Sequence, residues 1–207
     1  MKISIPKRHL LLVALGLVFL ILSSITRIAL YTWSFSNIDF SIISLVRILF
    51  TGLFFDLGTI SFFLVPYAIY LLVLPNSLNG SKLDKTITKF AFFIGLLTFI
   101  FTTFAEFTFW EEFSSRFNFI AVDYLVYTNE VIGNINESYP LPILLSIVIA
   151  TVLLIIFIIN KKNVFTHTFE NKSSLKVKAI TASITGVIAL LFLLFITNKD
   201  AEWSENR

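Results

Sequence analysis

The sequence contains no cysteine. That excludes a disulfide framework and any thiolate metal site. Histidine is nearly absent as well, with His9 and His167 the only two. They lie far apart with no carboxylate pattern around them, so they read as polar residues of basic flanks rather than metal ligands. Charge is scarce: Asp, Glu, Lys and Arg make up 14% of the 207 residues, against roughly 25% in a soluble domain. Seven glycines are present without a G-x-x-x-G spacing, so that close-packing motif of membrane helices is missing. Nothing points to a nucleic-acid partner.

What fills the chain is apolar. Hydrophobic residues account for 57%, with 24 Phe, and the mean hydropathy is +0.87. This is the composition of an integral membrane protein. A helix crosses the hydrocarbon core with roughly 20 apolar residues, and five stretches qualify, at about 10–30, 42–74, 90–109, 141–159 and 180–196. The first has too long an apolar run, and no small-residue cleavage site, for a signal peptide. The second would extend to roughly 50 Å as a helix. Two crossings drawn from it would each be too short, so the expectation is one crossing with an extension, bent at Pro66.

Connector charge sets the expected direction. With five single crossings and a cytoplasmic N-terminus, the inside segments hold Lys2, Lys7, Arg8, Lys82, Lys85, Lys89, Lys161, Lys162, Lys172, Lys176 and Lys178, or 11 of the 16 basic residues. Asp84 and Glu170 are the acids beside them. Outside are Arg116, Lys199 and Arg207, with Arg27 and Arg47 near outer helix ends. An excess of Lys and Arg marks the cytoplasmic side. The expected fold is therefore an all-α membrane protein with five transmembrane helices over 1–197, N-terminus cytoplasmic and C-terminus extracytoplasmic. The stretch 198–207, NKDAEWSENR, then reads as the start of a linker to an extracytoplasmic domain.

Ionisable residues in apolar stretches are costly and face partners or water, which makes each a functional candidate. They are Arg27, Arg47, Asp56 and Glu106. Arg27 and Arg47 are expected to snorkel to lipid phosphates. Arg47 and Asp56 sit on opposite sides of one helix, so any partners must come from elsewhere. Asp56 is expected either to pair or cap, or to act in lipid or proton handling. A transporter would show several ionisable groups at depth or matching halves; the fourth and fifth stretches carry no charge, and no repeat is visible.

The outer connector, 110–140, is too polar to cross and unusually aromatic. Glu112, Arg116, Asp123, Glu130 and Asn134 fall within about 40° on a helical wheel, a narrow polar stripe. Glu112 and Arg116 stand at i, i+4 and can pair. The expectation is an interfacial helix, or two short ones, with aromatic residues at head-group level. Those five residues, with Arg47, Asp56 and Glu106, are the candidates for holding a lipid head group or docking a domain.

FDL at 55–57, FWEEFSSRFNFIAVDYLVYTNEVIGNINESYP at 109–140, and five spans ending outside carry a resemblance. The chain resembles the membrane-embedded N-terminal region of lipoteichoic acid synthase-like proteins, bacterial phosphoglycerol transferases and sulfatase-like enzymes of the alkaline phosphatase superfamily. The resemblance covers essentially the whole chain and is most specific between Glu106 and Pro140. It implies a multi-pass protein of the bacterial cytoplasmic membrane, anchoring an extracytoplasmic catalytic domain beyond Arg207. In the family that domain uses a threonine nucleophile and a divalent metal, usually manganese. No catalytic residue and no cofactor is carried over onto this chain. Thr128 lies upstream of the fifth span and outside any such domain. The expected function is a membrane anchor that presents a phospholipid substrate for transfer of phosphoglycerol or a related phospho-alcohol. Its partners would be the bilayer, the lipid head group and the catalytic domain. The alternative is a stand-alone small membrane protein acting as a scaffold or binding partner.

Overall fold

The structure, a computed structural model, describes residues 6–37, 41–118, 120–121, 133, 135 and 137–195. Its long elements are α1 (Leu10–Trp33), α2 (Ile42–Val73), α3 (Lys82–Phe113), α4 (Leu141–Lys161) and α6 (Leu175–Phe195), with a short helix α5 (Val164–Glu170). Single 3-10 turns, Lys7–His9 and Ser34–Asn37, flank α1. Among the described residues there is no strand. The five long helices are each long and apolar enough to cross a membrane.

The second apolar stretch forms one helix, not two, and α2 continues through Pro66. At about 1.5 Å per residue its 32 residues reach about 48 Å, beyond a core of roughly 30 Å. Helix ends depart from the hydropathy limits because caps, not apolar residues, decide them. α3 starts at Lys82, eight residues before the apolar run, because Ser81 caps it: the Asp84 N–H donates to the Ser81 hydroxyl at 3.2 Å. The Asp84 carboxylate reaches back and accepts the Gly80 N–H at 2.7 Å. α6 likewise begins at Leu175 rather than 180.

α3 runs on to Phe113, so Glu112 lies in its last turn. Ser114 then adopts a left-handed conformation (φ 50°) and ends the helix. Glu112 and Arg116 therefore do not share a helix, and the expected i, i+4 pair does not form. Asp123, Glu130 and Asn134, the rest of the polar stripe, lie outside the described residues. Further on, the Tyr139 hydroxyl donates to Glu111 at 3.2 Å, tying the approach to α4 to the end of α3. Desolvation and that carboxylate hold the Tyr139 phenol above its ordinary pKa.

α1 is the central helix, packed between α2 and α3; α6 adds to the far side of α2, and α4 to the far side of α3. Leu11 and Leu15 of α1, Leu64 of α2, Leu96 and Ile100 of α3 and Val152 of α4 belong to one buried cluster. Yet only 11–28% of the most apolar window of each long helix is buried. Ile43 (81% exposed) and Phe195 (76%) face outward. So much uncovered apolar surface needs an apolar solvent, and this is the build of a multi-pass membrane protein.

The connections place the N-terminal end of α1, the turn from α2 to α3, α5 and the start of α6 together at one end. Asn79 donates its side-chain amide to the carbonyls of Phe169 and Asn171, both at 3.1 Å. Lys178 donates to the Leu74 carbonyl at the end of α2 at 2.6 Å, a cation where the helix dipole is negative. At the other end, the Tyr31 hydroxyl donates to the Ser41 carbonyl at 3.1 Å, joining α1 to the start of α2.

Candidate functional site

Asp56 lies fourteen residues into α2 and is 5% exposed. A bare carboxylate there would be expensive, since insertion scales put a charge at a helix centre at about 2.5–3.5 kcal/mol. Arg27 of α1 meets it with both terminal nitrogens: Nη2 donates to Oδ1 at 2.7 Å, and Nη1 donates to Oδ2. The Ser23 hydroxyl, one helical turn before Arg27, donates to Oδ1 at 2.9 Å. Arg27 Nη2 also donates to the Gly52 carbonyl at 3.2 Å. A two-pronged guanidinium–carboxylate pair is the strong form of this contact. The bare backbone at Gly52 makes room for it, because a Cβ there would stand 2.1 Å from Arg27 Nε. Arg27 thus turns inward to Asp56, where snorkelling to phosphate was expected.

The second pair joins α3 to the segment after it. Glu106, 7% exposed, accepts from Arg116 through both carboxylate oxygens, from Nε and from Nη2, the latter at 3.1 Å. The left-handed Ser114 turns the chain back so that Arg116 reaches one side of α3. Its own side chain stays 42% exposed.

Both pairs line one chamber of about 320 Å³ between α1, α2 and α3. Ser23, Thr26, Thr59, Thr98, Thr102 and Thr103 add hydroxyls to its wall. Several of these spend their proton on their own helix: Thr26 donates to the Leu22 carbonyl at 2.9 Å, Thr59 to Phe55 at 3.1 Å and Thr103 to Phe99 at 2.9 Å. Their oxygen lone pairs remain as acceptors. The chamber therefore offers acceptors from hydroxyls and carboxylates, donors from two guanidiniums, and a formal charge that cancels. Arg27 and Arg116 also border a neighbouring cavity of about 510 Å³ with Tyr31 and Trp110. Inward, the chamber ends at an aromatic cluster: Phe99 packs on Phe19 of α1 at 4.9 Å and on Phe63 of α2 at 5.1 Å.

Of the candidates read from sequence, Asp56, Glu106 and Arg116 come together here. Glu112 and Arg47 are exposed and do not line the chamber. Asp123, Glu130 and Asn134 cannot be placed against it. Arg27 is a full member of the site. The threonines of α3 had a legible signal: Thr98, Thr102 and Glu106 recur every four residues on a helix otherwise rich in Phe.

A second polar cluster was not foreseen at all. Arg8, counted by sequence among inside-flank charges, is fully buried and donates through Nη2 to Asp84 at 2.8 Å, both side chains at 0% exposure. Arg8 Nη1 donates to the Thr168 carbonyl at 3.2 Å, and the guanidinium lies over the Phe169 ring at 5.8 Å. The Tyr70 hydroxyl donates to Asp84 at 2.9 Å. His9, expected as a polar flank residue, is also buried, its Nδ1 within 3.4 Å of the Ser173 hydroxyl. Tyr70 of this cluster also borders a cleft between α2 and α3, and the cluster fastens the turn before α1 to α2, α3 and α5.

Among the described residues no three His, Asp or Glu side chains gather to hold a metal ion. Comparison of the chain with protein-family models, with curated proteins and with solved structures finds no match.

Proposed function

We propose that this chain is the membrane anchor and lipid-presenting module of a lipoteichoic acid synthase-like enzyme of the bacterial cytoplasmic membrane. The N-terminus is cytoplasmic, the chamber opens to the outer leaflet, and a catalytic domain with its divalent metal follows outside. One observation carries the lipid reading: the Arg27–Asp56 and Glu106–Arg116 pairs border the same hydroxyl-lined chamber. Polar groups at such depth face a substrate path or one another, and here they pair while bordering a chamber. The chemistry suits a phospholipid head group that ends in hydroxyls. Its hydroxyls donate to the threonine oxygens and to Asp56 or Glu106, while its phosphate meets the exposed side of Arg116. The cancelling charge of the chamber favours an uncharged polyol over a cationic amine. The orientation follows the basic residues, which gather at the end opposite the chamber.

The test starts with the coding DNA beyond codon 207. A continuing frame for a metal-dependent, phosphatase-like domain is expected, and an immediate stop codon would favour the stand-alone scaffold instead. In the longer protein, Arg116→Ala and Thr102→Leu should lower transfer from membrane phospholipid at least tenfold while sparing a water-soluble phosphodiester. Equal loss on both substrates would overturn lipid presentation.

A further inference from the structure

At the basic end a second cleft opens between α2 and α3, floored by Leu11 and Leu15 of α1, with a volume of about 450 Å³. That is within the roughly 300–1,000 Å³ of ligand pockets. Its lining is almost wholly apolar, with Phe63 on one wall and Gly95 on the other. Ile87, Phe90 and Ile94 on its rim are 39%, 65% and 42% exposed, so it opens sideways to the surroundings of the bundle. Tyr67, Tyr70, Thr88 and Thr98 bring hydroxyls to it, and those of Tyr70 and Thr88 donate to Asp84. Tyr67 lines the cleft, and its hydroxyl oxygen is buried without a hydrogen-bond partner.

A buried hydroxyl without a partner costs about 1–3 kcal/mol. The cleft, lined mainly by apolar side chains, fits a molecule with a long apolar part and a hydrogen-bond acceptor at one end. Depth identifies the acceptor. α2 exceeds the hydrocarbon core by about 18 Å, or about 9 Å at each end of a centred helix. Tyr67 is six residues before the end of α2 at Val73, also about 9 Å at 1.5 Å per residue. It therefore lies at the hydrocarbon boundary, the level of the ester carbonyls of a phospholipid.

We infer that this cleft is an intramembrane lipid site on the basic side of the bundle. It holds one acyl chain of a phospholipid, and the ester carbonyl accepts the hydrogen bond of Tyr67. The site is separate from the outer chamber, divided from it by Phe63 and Phe99, and does not depend on the function proposed for that chamber. An occupied cleft ties α2 to α3 where few direct contacts join them.

Native mass spectrometry of the protein, purified in mild detergent from its membrane, tests this. Wild type should retain one phospholipid per chain. Ala91→Trp and Ile94→Trp, at exposed rim positions, should each fill the cleft and reduce that occupancy at least tenfold, with helical content by circular dichroism unchanged. Tyr67→Phe should reduce it severalfold, and Thr102→Leu, which fills the outer chamber, should leave it unchanged. No retained lipid in wild type, or full retention in both tryptophan variants, overturns the site. Full retention in Tyr67→Phe overturns the hydrogen bond, and loss in Thr102→Leu alone assigns the lipid to the outer chamber.

Discussion

Arg8 and Asp84 are 76 positions apart in sequence, yet meet at 2.8 Å with neither side chain exposed. Removing one partner strands a buried charge, a loss of about 3–5 kcal/mol, whereas replacing both by apolar residues of similar volume is often neutral. Arg8→Ala and Asp84→Ala should each lower the unfolding midpoint in detergent sharply. The double variant Arg8→Met with Asp84→Leu should recover part of the loss, the remainder coming from the Gly80 N–H and Tyr70 hydroxyl that lose their acceptor. Additive losses in the cycle would show that the two residues act separately.

Gly52 leaves room for the guanidinium of Arg27. Gly52→Ala should therefore weaken the Arg27–Asp56 pair without touching either residue, at about 1–3 kcal/mol for the forced shift. In an Asp56→Asn background the same substitution should cost less, because the guanidinium is no longer held in place. Thermal unfolding of the four proteins measures this coupling.

α6 is held against α2 at Gly58, where a Cβ would stand 1.9 Å from the ring of Phe192. Gly58→Ala should lower stability by about 1–3 kcal/mol through overpacking. Phe192→Leu should restore part of it by withdrawing the ring. Protease cleavage between α5 and α6 is the readout, with faster cutting expected in Gly58→Ala than in the double variant.

The absence of cysteine makes sidedness easy to map. A single Ser138→Cys should react with a membrane-impermeant maleimide in intact cells. Lys172→Cys should react only after permeabilisation. The reverse pattern would invert the orientation and place the chamber toward the cytoplasm.

How far these features were legible depends on the kind of signal. Five helices of membrane-spanning length were readable because some twenty consecutive apolar residues leave a chain few other options. Asp56 and Glu106 stood out because charge in such a run is costly. Their partners did not: Arg27 reaches Asp56 across two helices, and no local periodicity encodes that meeting. The Glu112–Arg116 pairing failed for a different reason. It assumed a continuous helix, and the left-handed residue that ends the helix is a serine, not the glycine that usually marks such a stop. Arg8 shows the limit of charge counting, which registers the sign of a residue and its side of the membrane but not its burial.

The central place of α1 has a consequence for biosynthesis. Arg8 leaves the ribosome 76 residues before Asp84 and 160 residues before Thr168, whose carboxylate and carbonyl receive its charge. Until α5 has been made, the first helix must wait with a cation at its base that has no complete set of acceptors. Closure of that end is thus a late event in assembly, and a chain interrupted before residue 168 would leave Arg8 without its carbonyl acceptor.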